Sequence, residues 1–122
     1  MIKPHYDDKL NLTTFVCSGA MTAADIEQKI QGLYRGTPSL NAIWDFTEAD
    51  LTSLSPQDIR GIAHLVRTTS HSRSGGKTAL VFTNAMLTTM GPLLESISEI
   101  EVPEAKIKIF NDLKAGLTWT SA

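Results

Sequence analysis

The chain carries a single cysteine, Cys17, among its 122 residues. A disulfide framework is excluded, and so is any metal centre made of several thiolates. No apolar run approaches the ~18 residues that a membrane-spanning helix needs. Neither sign of charge dominates. Eleven Lys and Arg stand against thirteen Asp and Glu, a net charge of −2, which gives no global pull toward nucleic acid or an anionic membrane. The first residues, MIKPHYDDKL, have no apolar stretch after Lys3. That is not the pattern of a secretory leader, and a cytoplasmic location is the expectation. The catalytic signatures G-x-S-x-G, H-E-x-x-H and G-x-G-x-x-G are missing too. The expectation is therefore a protein that is not an enzyme, with no cofactor and no metal.

What is present describes one ordinary globular domain over residues 1–122. The composition is 42% hydrophobic and 20% charged, enough apolar surface for a single core and too much for a disordered chain. Residues 2–7 read as a short edge strand, with Pro4 suited to an edge. A turn at Asp7-Asp8-Lys9 leads to a second strand over 10–18, ended by Gly19. Thr22 caps a helix with Asp25 three residues on. Ile26, Ile30 and Leu33 follow at helical spacing, and Gly36 and Pro38 stop it. Residues 40–46 (LNAIWDF) read as a buried strand. Ser55-Pro56-Gln57-Asp58 starts a second helix, with Ile59, Ile62, Ala63 and Val66 on its apolar face. The strand TALVF over 78–82 is central. Asn84 is expected to cap a third helix that runs to about Ile100, with Leu87, Met90, Leu94 and Ile97 inward and a kink at Gly91-Pro92. Pro103 ends that region, 105–110 (AKIKIF) alternates as a strand, and Asp112 caps a last helix carrying Ala115 and Trp119. The fold class is α/β: one mixed, mostly parallel sheet of four to five strands, an N-terminal hairpin and about four helices.

The segment SRSGGKT, residues 72–78, ends like a phosphate-binding loop. The register fails, because the first glycine of G-x-x-x-x-G-K-[ST] falls on His71. The order fails as well. A phosphate loop leaves a strand and enters a helix, whereas this one leaves a helix and enters a strand. Gly75-Gly76 reads instead as a helix-to-strand turn, with glycine supplying positive φ.

Arg60, His64, Arg67 and His71 are spaced 4, 3 and 4 residues apart, which places them on one face of the second helix, within an arc of about 60°. Arg73 and Lys77 are positioned to extend it. This stripe is a candidate anion or acidic-partner site, against the reading of a solvated face favoured by the helix dipole. His64 and His71 lie roughly 10 Å apart on such a helix, too far to share a metal. Cys17 falls inside a strand, where a small buried thiol is usual, and nothing supports pairing it with His5. Asp45, Glu48 and Asp50 form an acidic cluster. Asp45 stands apart because it interrupts an apolar run, and a carboxylate at that depth needs partners, expected from backbone N–H groups of the following loop.

The segment AIWDFTEADLTSLSPQDIRGIAHLV resembles the middle of SpoIIAA-like proteins, within the wider fold of sulfate transporter and anti-sigma factor antagonist (STAS) domains. Further markers are the Gly19-Ala20-Met21-Thr22 step, Gly76-Lys77-Thr78-Ala79-Leu80-Val81, and Phe110, Asp112, Ala115 and Trp119. The resemblance covers nearly the whole chain. It implies a regulatory module that binds another protein. In the antagonists a serine near the start of the second helix is phosphorylated. Here Leu51-Thr52-Ser53-Leu54-Ser55-Pro56 replaces the family's Asp-Ser-Ser/Thr-Gly-x-Gly, and Ser53 and Ser55 stand nearest the phosphorylated position. The expected interaction surface is Asp45, Ser53, Ser55, Asp58 and Arg60, and the partner is another protein or a second copy of the chain. The alternative is a carrier of a lipid or small apolar ligand, related to CRAL-TRIO domains, suggested by Met86, Leu87, Met90, Leu93, Leu94 and Ile97. A hydrolase or transferase using the acidic cluster or Cys17 ranks last.

Overall fold

A computed structural model describes residues 1–102 and 105–122, Ser70 and His71 by their backbone alone. Pro103, read above as a stop, lies outside the described residues. The chain begins as a hairpin in which β1 (Ile2–Asp7) pairs antiparallel with β2 (Leu12–Ala20). Asp7 makes the turn: its Oδ1 accepts from the N–H groups of Lys9 and Leu10 at 3.0 and 3.3 Å. Asn11 closes it at φ 48°, a conformation that Asn tolerates better than most residues.

Strands and helices then alternate. The order is α1 (Ala23–Tyr34), β3 (Asn41–Asp50), α2 (Pro56–Thr69), a short 3-10 turn (Ser70–Arg73), β4 (Gly76–Val81), α3 (Asn84–Thr89), α4 (Pro92–Ser98), β5 (Ala105–Phe110) and α5 (Leu113–Thr120). The sheet has five strands in chain order, with β2 to β5 mutually parallel. This is the expected α/β architecture, and it is consistent with a STAS-like topology.

Each parallel crossover steps one strand in the same direction, so the right-handed rule sends every crossover helix to the same face. The core records this. Ile26 and Ile30 of α1, Ile59 and Ile62 of α2, and Leu93 and Ile97 of α4 share one cluster with strand residues. Its centre is a row of stacked aromatics. Phe15 and Trp44 are register partners across β2 and β3 with ring centroids 4.2 Å apart, Trp44 and Phe46 lie 6.0 Å apart, and Phe46 and Phe82 5.3 Å. Such pairs contribute about 0.5–1.5 kcal/mol each beyond area burial.

α5 follows the last strand and takes the opposite face. Leu113, Leu117 and Trp119 pack there on Leu12, Ile43, Ala79 and Val81. Gly116 faces the sheet with room for a methyl: a Cβ there would make ordinary contacts, 3.4 Å from Val81 and 3.5 Å from Ala79. Lys77 Nζ donates to the carbonyls of Trp119 and Ala122 at 3.0 and 2.8 Å, placing a cation at the negative end of the helix dipole.

Both predicted helix starts are capped. Thr22 and Asp25 bond reciprocally, and so do Ser55 and Asp58. Other expectations need correction. β2 runs past Gly19 to Ala20, and β3 past Phe46 to Asp50. The expected third helix is two helices. Pro92 lacks the N–H a continuous helix requires, Gly91 stands at φ 50°, and the chain restarts with Pro92 at the head of α4. Thr83, not Asn84, caps α3, its Oγ1 accepting from Met86 N–H at 3.0 Å. Leu93 rather than Leu94 is buried with Ile97. In α5 the buried positions are Gly116 and Thr120, while Ala115 is exposed.

Candidate functional sites at the strand ends and beneath the helices

The parallel strands deliver their carboxyl ends to one edge. There the connection from β2 to α1 is pinned to the loop after β3. Met21 is fully buried; its N–H donates to Asp50 O at 3.0 Å, and its carbonyl accepts from Ser53 Oγ at 2.7 Å. Asp50 Oδ1 accepts from both the N–H and the hydroxyl of Thr52. These bonds, the hydroxyl's first, hold its carboxyl below the usual carboxylate range. Leu51 anchors the loop in the core. The edge thus presents Ser53, Ser55, Asp58 and Arg60 within one loop and one helical turn, with Ser53, Ser55 and Arg60 exposed.

Asp45 does not join them. Its neighbours Trp44 and Phe46 enter the main cluster beneath the crossover helices, so Asp45, half a pleat away, projects from the α5 side of the sheet. Its Oδ1 accepts from the N–H and hydroxyl of Thr47 at 3.0 and 2.6 Å. The expected downstream N–H partner is therefore present, though it lies within the strand rather than in a loop. Asp45-x-Thr47 and Asp50-x-Thr52 are the same device used twice, which accounts for much of the acidic cluster.

Arg60, His64 and Arg67 are exposed along α2, opposite the buried Ile59, Ile62 and Ala63. The fourth member of the stripe falls beyond the helix. α2 ends at Thr69 and tightens into the 3-10 turn, so the 100° spacing no longer applies at His71, whose side chain is outside the described residues. The proposed extensions are occupied elsewhere. Lys77 caps α5, and Arg73 turns inward and is 4% exposed.

Arg73, read from the sequence as an extension of the surface stripe, instead has a buried role that sequence reasoning missed. Nε donates to Ser39 O and Leu40 O, both at 3.1 Å, and Nη2 donates to Leu40 O, Lys77 O and Thr78 Oγ1 at 3.0–3.2 Å. Nη1 donates to the Tyr34 hydroxyl at 3.2 Å. The guanidinium therefore ties α1 and the amino ends of β3 and β4 together. Gly75 supplies the expected positive φ, 82°. Gly76 serves a different purpose, since a Cβ there would overlap the Leu40 carbonyl oxygen and lie 2.9 Å from that of Arg73. SRSGGKT is thus a structural clamp, and it runs from helix to strand.

Between the sheet and α1, α2 and α4 lies an apolar cavity of about 100 Å³. Ile30, Trp44, Ile62, Leu80 and Phe82 line its body, and Tyr34, Arg73 and Thr78 line the end nearest the strands' amino termini. The methionines that suggested a carrier are not in its wall. Met86 and Met90 pack on the main cluster from α3 and the break that follows it.

Cys17 is buried on the helix-covered face with Phe15. His5 pairs with Thr14, one pleat position away from Phe15, and so projects from the opposite face. No Cys17–His5 pair exists. Burial, and then the Asp45 carboxylate, push the thiol up to about 12 against the lowering effect of the N-terminal ammonium. Among the described residues no group of three His, Cys, Asp or Glu side chains could hold a metal ion, and no helix is long and apolar enough to cross a membrane. No family model, curated protein or solved structure matches the chain.

Proposed function

We propose that the chain is a non-enzymatic, cytoplasmic regulatory module of the SpoIIAA-like kind, docking another protein or a second copy of itself through the edge formed by the loop after β3 and the first turn of α2. The observation that carries this reading is the fixed geometry of that edge. Ser53, Ser55 and Arg60 are exposed, yet the backbone beneath them is held at Met21, Asp50 and the Ser55–Asp58 cap, so docking there costs little ordering entropy. The one-way winding supports it too. Ligand crevices in open α/β sheets form where the strand order reverses, and this sheet runs in chain order. Arg60, His64 and Arg67 favour an acidic partner. A phosphate on Ser53 would displace its bond to Met21 and set a dianion beside Asp50 and Asp58, releasing the loop.

A photo-crosslinking side chain placed at Thr52 or Arg60 in the living host tests the reading. One dominant adduct from these positions, absent when the same group replaces Lys3 on β1, is expected. Equal adducts from all three positions, or none from the edge, would sink it.

The cavity favours a second reading, a carrier of a small apolar ligand. Native mass spectrometry of gently purified protein checks it. A single mass excess that is lost on denaturation is expected, and a bare chain under all preparations counts against it.

A further inference from the structure

Resting on the ligand reading, we infer that the cavity recognises a compact apolar carboxylic acid, whose carboxylate is received at the end formed by Arg73 and Tyr34. Arg73 as a whole residue is only 4% exposed. Buried charges are normally paired with an opposite charge. Here each hydrogen-bond acceptor of Arg73 among the described residues is a neutral oxygen: three backbone carbonyls and the hydroxyls of Thr78 and Tyr34. Among the described residues no carboxylate bonds this charge, and the side chain lines an otherwise apolar cavity.

The donor inventory sharpens the point. A guanidinium has five N–H groups. The Nε hydrogen and the two on Nη2 are taken by five contacts to oxygen, while Nη1, with two hydrogens, makes one bond, to Tyr34. The Tyr34 oxygen accepts that bond, and its own hydrogen has no acceptor among the described residues. One cationic N–H and one phenolic O–H therefore remain open, on adjacent atoms, at the same end of one cavity. Two converging donors of this kind suit the two oxygens of a carboxylate. The remaining wall, Ile30, Trp44, Ile62, Leu80 and Phe82, suits a hydrocarbon body. At about 100 Å³ the space is somewhat smaller than the ~150 Å³ cavity that accepts benzene. The acid is thus a short-chain one, smaller than benzene, rather than a long-chain lipid.

The probe is propanoate, with propanamide as its neutral counterpart, titrated at pH 7 against protein labelled at Ile and Leu methyl groups. The acid is expected to shift the Ile30, Ile62 and Leu80 methyls and to bind about tenfold tighter than the amide. Tyr34→Phe, which keeps the ring and removes the open O–H, is expected to weaken the acid several-fold and leave the amide unchanged. Its melting temperature verifies that it folds. Substitution of Arg73 itself is less informative, because the side chain also fixes the strand ends. Should acid and amide bind equally, or Tyr34→Phe weaken both alike, the carboxylate inference is overturned while the ligand reading stands. If neither compound moves a cavity methyl, both are overturned.

Discussion

Gly76→Ala should be among the most damaging single-methyl additions to this chain, and the reason is specific. The added Cβ meets only backbone: the Leu40 carbonyl oxygen, the Leu40 carbonyl carbon at 3.2 Å and the Arg73 carbonyl oxygen at 2.9 Å. No flexible side-chain end is available to give way. The Leu40 oxygen is also held, because it accepts from both Nε and Nη2 of Arg73 at 3.1 and 3.0 Å. Moving it loosens charge-assisted bonds, each contributing about 1.5–3 kcal/mol. Overpacking alone costs about 1–3 kcal/mol, and the lower unfolded-state entropy of Ala returns about 0.4–1 kcal/mol. A net loss of about 3–4 kcal/mol follows. With an unfolding entropy near 2.1 cal/mol/K per residue, about 0.26 kcal/mol/K for this chain, the melting temperature falls by about 12–15 °C. Gly75→Ala is the control. It stands at φ 82° in open space, so it suffers only the left-handed penalty of about 1–2 kcal/mol, or ~4–8 °C. Thermal unfolding followed by far-ultraviolet circular dichroism ranks the two. If Gly75→Ala proves as harmful as Gly76→Ala, close approach is not what selects glycine at 76, and the clamp drawn around Arg73 is wrong.

Gly116→Ala should go the other way: its Cβ finds ordinary contacts at 3.4–3.8 Å, so the helix-interior gain of about 0.5–1 kcal/mol should raise the melting temperature by ~2–4 °C, and a fall would mean that α5 sits closer to β4 than described. Ser55→Ala removes the acceptor for Asp58 N–H and should cost about 1 kcal/mol in urea unfolding, with an unchanged midpoint refuting the capping role. Cys17 gives a signed pH effect. Its thiol rises from an ordinary 9.0 to about 12 in the fold, so its contribution is complete below pH 9 and is withdrawn as pH climbs toward 12, at up to about 1.4 kcal/mol per unit. Urea midpoints at pH 8.5 and 10.5 should therefore converge in Cys17→Ala relative to the native chain, and equal alkaline slopes would refute the assignment.

The fold was legible because local and global signals agree. Thr22 with Asp25 and Ser55 with Asp58 mark helix starts that form as read. The alternation of strands with helical periods implies parallel crossovers. Where the reading stopped short, the physics was non-local. β3 continues through Glu48, Ala49 and Asp50, residues of low strand propensity, because Ser18, Gly19 and Ala20 of β2 pair with Glu48, Ala49 and Asp50, and tertiary pairing overrides propensity. The basic stripe was half legible. Helical spacing placed Arg60, His64 and Arg67 together, but no local pattern distinguishes Arg67, which faces solvent, from Arg73, which is buried. The nearest signal is the pair of glycines after Arg73, which implies a tight backbone approach without saying to what.

The cavity was the least legible feature, since it is a property of length rather than of residue type. An unbroken helix over residues 84–100 would run about 25 Å at 1.5 Å per residue and span the full height of the sheet. The chain instead breaks at Gly91-Pro92, and α4 has seven residues, about 10 Å. β5, the edge strand, has six residues and extends about 20 Å. A helix half as long as that strand cannot cover it from end to end. The amino-terminal half of β5, with Ala105 and Ile107, and the facing Thr78 of β4 are left facing the cavity rather than a helix. Arg73 and Tyr34 reach this uncovered end from the other side. The same dipeptide that reads as a kink in the sequence therefore shortens the covering helix, and the space beside Arg73 follows from that shortening.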